Sequence, residues 1–370
     1  MERLVIFGGT FDPIHRGHLR IAREAALRLN ADVVFVPAKM PRWKSPEATT
    51  QDRLKMLKLA LQEDGSASFS IDECELKRPD ETTYSIDTVR YFVKKFPNRE
   101  LFLLIGADEV NKFDHWHQAD AIASLARILY VNRPDIEIDK NILKKYRMIS
   151  LDFNGSGSVS SSAIRELKSI DIPSKVLNYI ETHDLYFMKR LHSYLGSKRL
   201  RHSLSVAHTA YAIARKNKVN EPERAYIAGI LHDIGKELGE EESNSIMKEN
   251  FPEFLSYPKF CHHQFTGSYL AEHEFGVKDL SILDAIRYHC TGKAHMSVLA
   301  KIIFSADKIE PTRGYDSANL IKDCNENYYA GFLAVIRANA DFLDGKTGGV
   351  DSNPLSQECY QQYLNKGEKK

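Results

Sequence analysis

The residues best suited to chemistry near the start of the chain lie at positions 8–18, which read Gly-Gly-Thr-Phe-Asp-Pro-Ile-His-Arg-Gly-His. An apolar run (4–7) precedes them and an apolar pattern of helical spacing (19–29) follows, so we expect a strand, a glycine turn and a helix. Backbone N–H groups of such a turn and the positive end of the helix both favour an anion. His15 and His18 add imidazole donors. The stretch predicts a phosphate site, although a glycine turn with two surface histidines would explain the same residues.

Two further stretches of the first half carry candidate ligand groups. An almost wholly apolar strand, 101–105, ends at Gly106-Ala107-Asp108, and ligands of open α/β sheets bind beyond the carboxyl ends of strands, so Asp108 is a candidate by position. Ser161, Ser162 and Arg165 begin an apolar-periodic segment. The serines are good helix N-caps, and they also fit a second helix N-terminus directed at phosphate, with Arg165 as a forked donor. The sequence pattern leaves both interpretations open.

The second half carries a different set of groups, imidazoles and carboxylates spread over predicted helices: His202, His232, Asp233, His262, His263, His289 and Asp307. Any one of them fits a hydrogen-bonded core residue. Burying several ionisable groups together is costly unless they share a cation, so the set predicts a metal site. Such ligands suit Fe, Mn, Ni, Co or Zn better than Ca, and their spacing does not choose among these.

The elements that must position these groups change character along the chain. Residues 1–186 alternate strand-like and helix-like segments, which predicts an α/β domain with a parallel, Rossmann-like sheet. Residues 187–370 show helical periodicity, which predicts an all-α domain. The expected strands are 4–7, 32–36, 69–72, 101–105, 127–131 and 148–151. The expected helices of the second domain are 201–216, 221–234, 240–250, 267–275, 280–289 and 297–310.

Net charge, apolar runs and cysteine spacing limit the kinds of partner and cellular location that we expect for this protein. With 51 basic and 50 acidic residues the net charge is +1, which argues against a broad nucleic-acid or anionic-membrane surface. No long apolar run or signal-peptide pattern is seen, and the expected location is cytoplasmic. The five cysteines are scattered without a C-x-x-C and are expected to be reduced thiols. Cys261 and Cys290 lie near histidines, which leaves a mixed zinc site as an alternative. The oligomeric state is not indicated.

The first half resembles a known family. His15-Arg16-Gly17-His18 matches the signature of the nucleotidylyltransferase superfamily, and residues 8–18 as a whole are similar to bacterial nicotinate-nucleotide adenylyltransferases. A second hallmark of that family, Ser-Ser-x-x-Ile-Arg, is present over residues 160–165. Other family positions are Thr83-Tyr84, Gly106-Ala107-Asp108, Trp116 and Arg133-Pro134, and together the matches span 1–186. The usual Pro-Pro-His-Lys loop is replaced by Pro41-Arg42-Trp43-Lys44, which puts the neighbouring contact to the mononucleotide in question.

The resemblance implies adenylyl transfer from ATP to nicotinate mononucleotide, with Mg²⁺ bridging the ATP phosphates. His15, His18 and Arg165 are the expected catalytic residues. The expected ATP-binding residues are Gly8, Gly9, Thr10, Phe11, His15, His18, Gly106, Asp108, Ser161, Ser162 and Arg165. The expected mononucleotide-binding residues are Lys44, Thr83, Tyr84, Trp116 and Arg133. A sibling enzyme acting on nicotinamide mononucleotide, phosphopantetheine or a sugar alcohol phosphate is the alternative.

The second half resembles the HD metal-dependent phosphohydrolases through the His232-Asp233 doublet, with His202 upstream and Asp307 downstream. From about 191 to about 343 it is similar to the bacterial symmetrical diadenosine tetraphosphate hydrolases. That similarity implies cleavage to two ADP, with Asp233 as a catalytic residue and Lys236 and Arg313 binding phosphates. It also implies iron, as two ions, on His202, His232, Asp233, His263, His289 and Asp307.

Two choices remain within this interpretation of the second half. His263 is favoured over His262 as the ligand, because Gly267 follows it by four residues as in that family. The alternative function is a domain that hydrolyses other nucleotides or only senses them.

Overall fold

The computed structural model describes residues 2–40, 45–79, 83–132, 136–151, 159–347 and 353–364. The chain forms two compact units. The first comprises Met1–Arg165 and Asp171–Tyr186, and the second comprises Glu166–Ile170 and Phe187–Lys370. Each unit has its own core and its own group of candidate site residues, and each is described separately below.

A six-stranded sheet of wholly parallel strands, in the order β3-β2-β1-β4-β5-β6, forms the centre of the first unit. This confirms the α/β class predicted from the alternating segments. β4 is buried along its middle because helices cover both faces of such a sheet, which explains its uninterrupted apolar run. The strands are β1 (Arg3–Gly9), β2 (Ala31–Pro37), β3 (Phe69–Ile71), β4 (Glu100–Gly106), β5 (Arg127–Val131) and β6 (Ile149–Leu151).

The strand order reverses beside β1. β1 pairs with β2 on one side and with β4 on the other, so Leu4 lies between Asp32 and Leu101. At such a switch point the connections leave the carboxyl ends of the two strands in opposite directions, which opens a crevice between them. Those two ends are the glycine pair Gly8-Gly9 and Gly106.

Helices cover the sheet and fix the direction of its loops. Val89 and Phe92 pack in the same buried cluster as Ile6, Val34 and Leu103 of the sheet. Burying each large apolar side chain contributes about 1.5–3 kcal/mol, so this packing holds the strand ends in place. The helices are α1 (Arg16–Leu29), α2 (Thr50–Asp64), α3 (Ser85–Lys95), α4 (Ala107–Val110), α5 (Ala119–Leu125), α6 (Lys140–Tyr146), α7 (Ser161–Arg165) and α8 (Ser174–Thr182).

The second unit contains helices and no strand among its described residues, which confirms the predicted all-α class. Two predicted starts were wrong. α10 begins at Ser197, four residues before the predicted 201. α13 begins at His262, not near residue 267, because its first turn buries polar side chains and therefore lacks the apolar signal. The helices are α9 (Phe187–Leu191), α10 (Ser197–Lys216), α11 (Glu223–Leu231), α12 (Glu240–Asn250), α13 (His262–His273), α14 (Leu280–Arg287), α15 (Val298–Ile309), α16 (Ala318–Glu326), α17 (Tyr328–Thr347) and α18 (Pro354–Leu364).

Close packing between α10 and α11 depends on Gly229. A Cβ at this position would lie 2.7 Å from the Cα of Ala207, so only glycine allows the two backbones to approach this closely. The approach brings the start of α10 beside the end of α11, where candidate ligands of both helices meet. In the described parts of the chain, no helix has both the length and the hydropathy needed to cross a membrane.

Candidate functional sites

The turn between β1 and α1 is stabilised by its two histidines. His15 is the N-cap of α1, and its Nδ1 accepts the N–H of His18 at 3.3 Å, while Nδ1 of His18 accepts the N–H of His15 at 3.2 Å. The two rings stack with centroids 3.6 Å apart. Because each Nδ1 is an acceptor, the proton of each neutral ring is on Nε2. The turn therefore presents two Nε2–H donors beside the N-terminus of α1, an arrangement suited to phosphate oxygens.

Glycine is required at two places in this turn. A Cβ on Gly17 would lie 2.8 Å from Nδ1 of His15, and a Cβ on Gly9 would lie 2.9 Å from the ring of Phe11. Real Cβ atoms do not approach so closely, so any side chain at Gly17 would displace His15 from its capping position. The spacing His-x-Gly-His is thus explained by the crowding of the two imidazoles.

The structure brings the residues of α7 to the same turn, residues 8–18, which we call the histidine turn. Arg165 donates from Nη1 to the carbonyl oxygen of Asp12 at 2.7 Å and from Nη2 to the hydroxyl of Ser162 at 3.3 Å. The Ser161 hydroxyl donates to the carbonyl of Pro13 at 2.9 Å. Although α7 is far along the chain, its guanidinium and the Ser161 hydroxyl contact the histidine turn, and the exposed Ser162 contacts that guanidinium. Positive charge and hydroxyl groups are thereby concentrated at one place.

A cavity of about 230 Å³ lies at the switch point of the sheet. Its lining includes Gly8 and Gly9 of β1, Gly106 of β4, and Thr83 and Trp116 from the loops on the same side. These are residues that the sequence assigned separately to ATP and to the mononucleotide. A Cβ on Gly106 would lie 2.5 Å from Oδ1 of Asp108, so the Asp108 carboxylate folds back over the strand end.

The other predicted residues of the first unit lie around these two places. Phe11 packs edge-on against the ring of His18, with centroids 5.2 Å apart, and the carbonyl of Thr10 accepts a hydrogen bond from Arg53 at 2.7 Å. The ring of Tyr84 packs against His117, with centroids 4.5 Å apart. Lys44 and Arg133, expected to bind the acceptor phosphate, lie outside the described residues.

Three charged residues of this unit were not recognised in the sequence. Asp12 and Arg53 are almost completely buried, and Glu75 lines the switch-point cavity while accepting hydrogen bonds from Thr83 at 3.1 Å and Thr88 at 2.6 Å. Burial raises the pKa of Glu75, although the two threonine hydroxyls oppose the shift. Asp12 stood inside the motif and could have been noted. Arg53 and Glu75 have no local signal, because only tertiary contacts show that they are buried.

In the second unit, six predicted residues converge from separate helices. The imidazoles and carboxylates come from α10, from the turn after α11, from α13, from the turn after α14 and from α15: His202, His232, Asp233, His263, His289 and Asp307. All are buried except His202, which is partly exposed. His262 points elsewhere, with its Nε2 at 2.9 Å from the carbonyl of Tyr257. The geometry therefore places His263 in the cluster and His262 outside it.

Asp233 is central to the cluster because its two oxygens face different partners. Oδ1 lies 3.2 Å from Nε2 of His263 and 3.6 Å from Nε2 of His289. Oδ2 lies 3.7 Å from Nε2 of His232 and 3.9 Å from Nε2 of His202. One carboxylate thus faces two groups of imidazoles and would belong to both of the possible ligand groups that the described residues form.

The four imidazoles are oriented by their other ring nitrogens. Nδ1 of His232, His263 and His289 lies 2.6, 2.8 and 2.7 Å from a backbone carbonyl oxygen, and Nδ1 of His202 lies 2.9 Å from Oε1 of Glu310. This second contact fixes the tautomer and directs Nε2 inward, as it does in metal-binding histidines. Glu310 was not recognised in the sequence, although it follows Asp307 by one helical turn.

The cluster passes a test for metal binding on its own chemistry. Nε2 of His202 and of His232 are buried polar atoms for which the described residues supply no well-formed hydrogen bond. They face carboxylate oxygens instead, the nearest being Oδ1 of Asp307 at 3.2 and 3.6 Å, which is a costly state in a protein interior unless a cation is shared. Within the described residues, two groups have ligand atoms close enough to hold an ion: His202, His232 and Asp233, and Asp233, His263 and His289. Imidazole nitrogens and carboxylate oxygens suit divalent transition metals. Neither group contains a cysteine.

The protonation of Asp233, His263 and His289 favours ligand binding. Burial would raise the pKa of Asp233, yet the surrounding imidazoles hold it well below its usual range, so the carboxylate is charged. Burial lowers the pKa of His289 to about 4 and also lowers the pKa of His263, which keeps both rings neutral. Burial raises the pKa of the neighbouring Cys290 thiol to about 11, which disfavours a thiolate ligand.

Cationic side chains surround the cluster. Arg199 donates to Oδ2 of Asp233 at 2.8 Å, Lys308 lies 3.4 Å from Oδ2 of Asp307, and Arg313 donates to Oδ1 of Asp307. With Lys236 they line a cavity of about 430 Å³ over the ligands. Arg199, Lys308 and Arg313 also line a second cavity of about 1120 Å³. The sequence had identified Lys236 and Arg313 but not Arg199 or Lys308.

Comparison with known proteins agrees with the division of the chain into an α/β half and an all-α half. Residues 6–167 match the cytidylyltransferase-like family model, and residues 199–312 match the HD domain model. A protein of Mycoplasma genitalium named "probable nicotinate-nucleotide adenylyltransferase/Ap4A hydrolase", where Ap4A is diadenosine tetraphosphate, is 31% identical over 91% of this chain and 97% of its own length. The nicotinate-nucleotide adenylyltransferase of Bacillus subtilis is 35% identical over 50% of this chain and 99% of its own.

One solved structure matches about half of the chain. It is described as a "predicted HD superfamily hydrolase involved in NAD metabolism" from Clostridium acetobutylicum, is 32% identical, covers 48% of this chain and 95% of that chain, and has a TM-score of 0.43. The full-length similarity to the Mycoplasma protein covers both domains in the same order. The chain is an enzyme of the two-domain family that joins a nucleotidyltransferase-like domain to an HD domain and that includes the Mycoplasma genitalium and Mycoplasma pneumoniae proteins named "probable nicotinate-nucleotide adenylyltransferase/Ap4A hydrolase".

Proposed function

We propose that the first unit transfers the adenylyl group of ATP to nicotinate mononucleotide, producing nicotinate adenine dinucleotide and pyrophosphate for NAD biosynthesis. The observation that carries the proposal is the convergence of the histidine turn and α7 beside the switch-point cavity. Relatives that match this half over nearly their full length bear the corresponding name. Mg²⁺ bound with the ATP phosphates is the expected cofactor.

In this proposal, His15 and His18 donate from Nε2 to the ATP phosphates, and Arg165 neutralises the charge that develops on pyrophosphate as it leaves. Ser161 and Ser162 support Arg165 and the turn. Gly106 and Asp108 bind the adenosine ribose, and Thr83, Tyr84 and Trp116 frame the pyridine ring. The phosphate of the acceptor attacks the α-phosphorus of ATP directly, and pyrophosphate leaves. Catalysis therefore consists of positioning and charge stabilisation, and no covalent nucleophile of the protein takes part.

The acceptor is tested by measuring turnover of ATP by the full chain with nicotinate mononucleotide, nicotinamide mononucleotide, phosphopantetheine and a sugar alcohol phosphate. We expect kcat/KM to be at least about 10-fold higher with nicotinate mononucleotide, the preference that one favourable charged contact can supply. A clear preference for any other acceptor would refute the assignment.

We propose that the second unit hydrolyses diadenosine tetraphosphate symmetrically to two ADP. The observation that carries this proposal is the position of Asp233 between the two groups of imidazoles. The residues that would hold two divalent metal ions, of which iron is expected, are His202, His232, Asp233, His263, His289 and Asp307. When bound, the ions supply Lewis acidity toward the phosphate oxygens. Lys236, Arg199 and Arg313 bind the remaining phosphates and orient the chain of phosphates in the cavity.

Product identification tests the second proposal. The full chain, loaded with Fe²⁺, is incubated with diadenosine tetraphosphate, and ADP is expected as the sole nucleotide product. AMP together with ATP would contradict symmetrical cleavage. Tight binding with no cleavage would instead support a nucleotide-sensing domain.

A further inference from the structure

Among the described residues of the first unit, Asp12 and Arg53 are charged and almost completely buried, and the proposed reaction gives them no role. Asp12 is 5% exposed and Arg53 is 1% exposed. Asp12 belongs to the histidine turn, and Arg53 lies in the first turn of α2. A buried charge is costly unless its hydrogen bonds are satisfied, so the partners of these two residues indicate what they hold together.

Arg53 joins the turn to the end of β2. Its Nη1 donates to the carbonyl of Thr10 at 2.7 Å and to the carbonyl of Ala38 at 2.9 Å, and its Nη2 donates to the carbonyl of Lys39 at 3.1 Å. Thr10 belongs to the turn, whereas Ala38 and Lys39 begin the connection from β2 to α2. One guanidinium therefore fixes the start of that connection against the histidine turn.

Asp12 joins the turn to the other end of the same connection. Its Oδ2 accepts the N–H of Glu47 at 2.8 Å, and its Oδ1 accepts the N–H of Ala48 at 3.2 Å and the hydroxyl of Tyr186 at 2.8 Å. Its backbone carbonyl also accepts from Arg165. Both described ends of the β2–α2 connection are thus hydrogen-bonded to residues of the turn.

We propose that Asp12 and Arg53 are positioning residues that fix the distance between the histidine turn and the two described ends of the β2–α2 connection, residues 38–39 and 47–48. The proposal rests on the proposed adenylyl transfer, in which the turn holds ATP and the described start of this connection, Ala38 and Met40, lines the switch-point cavity that receives the acceptor. Neither side chain touches a reacting atom in this account. Their contribution is to hold the turn and this wall of the cavity at the spacing that direct attack of one phosphate on another requires, because a displacement of about 1 Å can cost about 10²-fold in rate.

The test compares Asp12→Asn and Arg53→Lys with matched controls at the opposite edge of the sheet. Asparagine keeps the shape of Asp12 but offers one acceptor oxygen and an NH₂ group, which opposes one of the donors. Lysine keeps the charge of Arg53 but has no fork. The controls Asp32→Asn and Arg99→Lys alter a partly exposed pair, joined at 2.8 Å, at the amino ends of the strands. We expect the controls to behave as wild type.

Two readouts separate positioning from general damage. Hydrogen exchange at the Glu47 and Ala48 amides is expected to be at least about 10-fold faster in Asp12→Asn, the effect of losing one charged hydrogen bond. In both variants, kcat/KM for nicotinate mononucleotide is expected to fall about 30–100-fold while the Kd for ATP changes less than about 3-fold. The double variant is expected to be little worse than the poorer single variant, because the two residues act on one connection.

Three results would overturn the proposal: unchanged exchange at Glu47 and Ala48, unchanged kcat/KM, or a loss of ATP affinity as large as the loss of kcat/KM, which would mean that the turn itself had collapsed. The exchange measurement needs no acceptor. A wild-type protein that rejects nicotinate mononucleotide would therefore refute the proposed function, while exchange and kcat/KM with the acceptor it does use still decide the role of Asp12 and Arg53.

Discussion

The two centres of this chain are built in different ways. The first consists of glycine backbone, two helix N-termini and loop residues at the carboxyl edge of a sheet, and its donors are drawn together by hydrogen bonds to main-chain carbonyls. The second consists of side chains that converge from separate helices, each imidazole fixed by a second contact. The first therefore depends on local backbone conformation, and the second depends on helix packing. Substitutions that affect one of these and spare the other should separate the two activities.

The largest effect is expected for Asp233→Ala, because both oxygens of this carboxylate face imidazoles of the cluster. Hydrolysis of diadenosine tetraphosphate should fall by at least about 10³-fold, the several kcal/mol that a metal centre supplies. Bound metal, measured by mass spectrometry, should fall in parallel, and adenylyl transfer should be unchanged. Asp284→Ala, which removes a carboxylate paired with Lys293 outside the cluster, is the matched control. Loss of both activities in Asp233→Ala would contradict two independent centres.

His18→Ala is expected to produce the reverse pattern. Removing one preorganised hydrogen-bond donor from the histidine turn should lower kcat for adenylyl transfer by about 10²–10³-fold. The substitution also removes an acceptor of the capping pair, so the temperature of unfolding of the first unit should be measured alongside. Hydrolysis is the internal control and should remain at the wild-type rate. A wild-type kcat in His18→Ala would exclude this imidazole from the reaction.

Gly229→Ala tests whether helix packing holds the second centre. Its Cβ would lie 2.7 Å from Ala207, and overpacking of this kind costs about 1–3 kcal/mol of unfolding free energy. Because the carbonyl of Gly229 also accepts from His232, metal affinity should fall about 10-fold or more. Gly239→Ala is the control, since a Cβ there has no neighbour within 4 Å among the described residues. Equal metal affinity in the two variants would show that the α10–α11 packing does not support the site.

The smallest effect concerns the stability of the first unit. Burial raises the pKa of Glu75, so its charged form destabilises the fold at pH values above that pKa, and protonation relieves the cost as the pH falls through it. Glu75→Gln keeps the polar contacts without the charge. The Tm of the transition that ATP shifts should be higher in the variant at pH 8, and the difference should shrink toward pH 4.5. A difference that grows toward low pH would mean that the carboxylate is stabilising.

The difference between the centres also explains what the sequence could predict. The histidine turn lies within a few consecutive residues. Its strand, its glycines and the start of its helix could therefore be predicted from the residue types and from the spacing of the apolar residues on either side. The cluster ligands were found because imidazole and carboxylate are unusual on apolar helix faces. Their pairing around Asp233 was not readable, since it depends on the mutual packing of several helices.

Residues that act through tertiary contacts had no signal at all. Arg53 and Glu75 lie in ordinary polar surroundings in the sequence and become buried only when the sheet and its loops assemble. Arg199 and Lys308 resemble surface cations of amphipathic helices, yet both contact carboxylates of the cluster. The beginning of α13 was missed for the same reason, because its buried first turn is polar.

The presence of two chemically independent centres in one chain is tested most directly by removing transition metal from the wild-type enzyme. The protein is treated with a chelator, returned to Mg²⁺ alone and assayed for both products, nicotinate adenine dinucleotide from ATP and nicotinate mononucleotide, and ADP from diadenosine tetraphosphate. We predict an unchanged rate of dinucleotide synthesis, and ADP formation below about 1% of its starting rate until Fe²⁺ is added. Loss of both activities, or survival of both, would contradict the account.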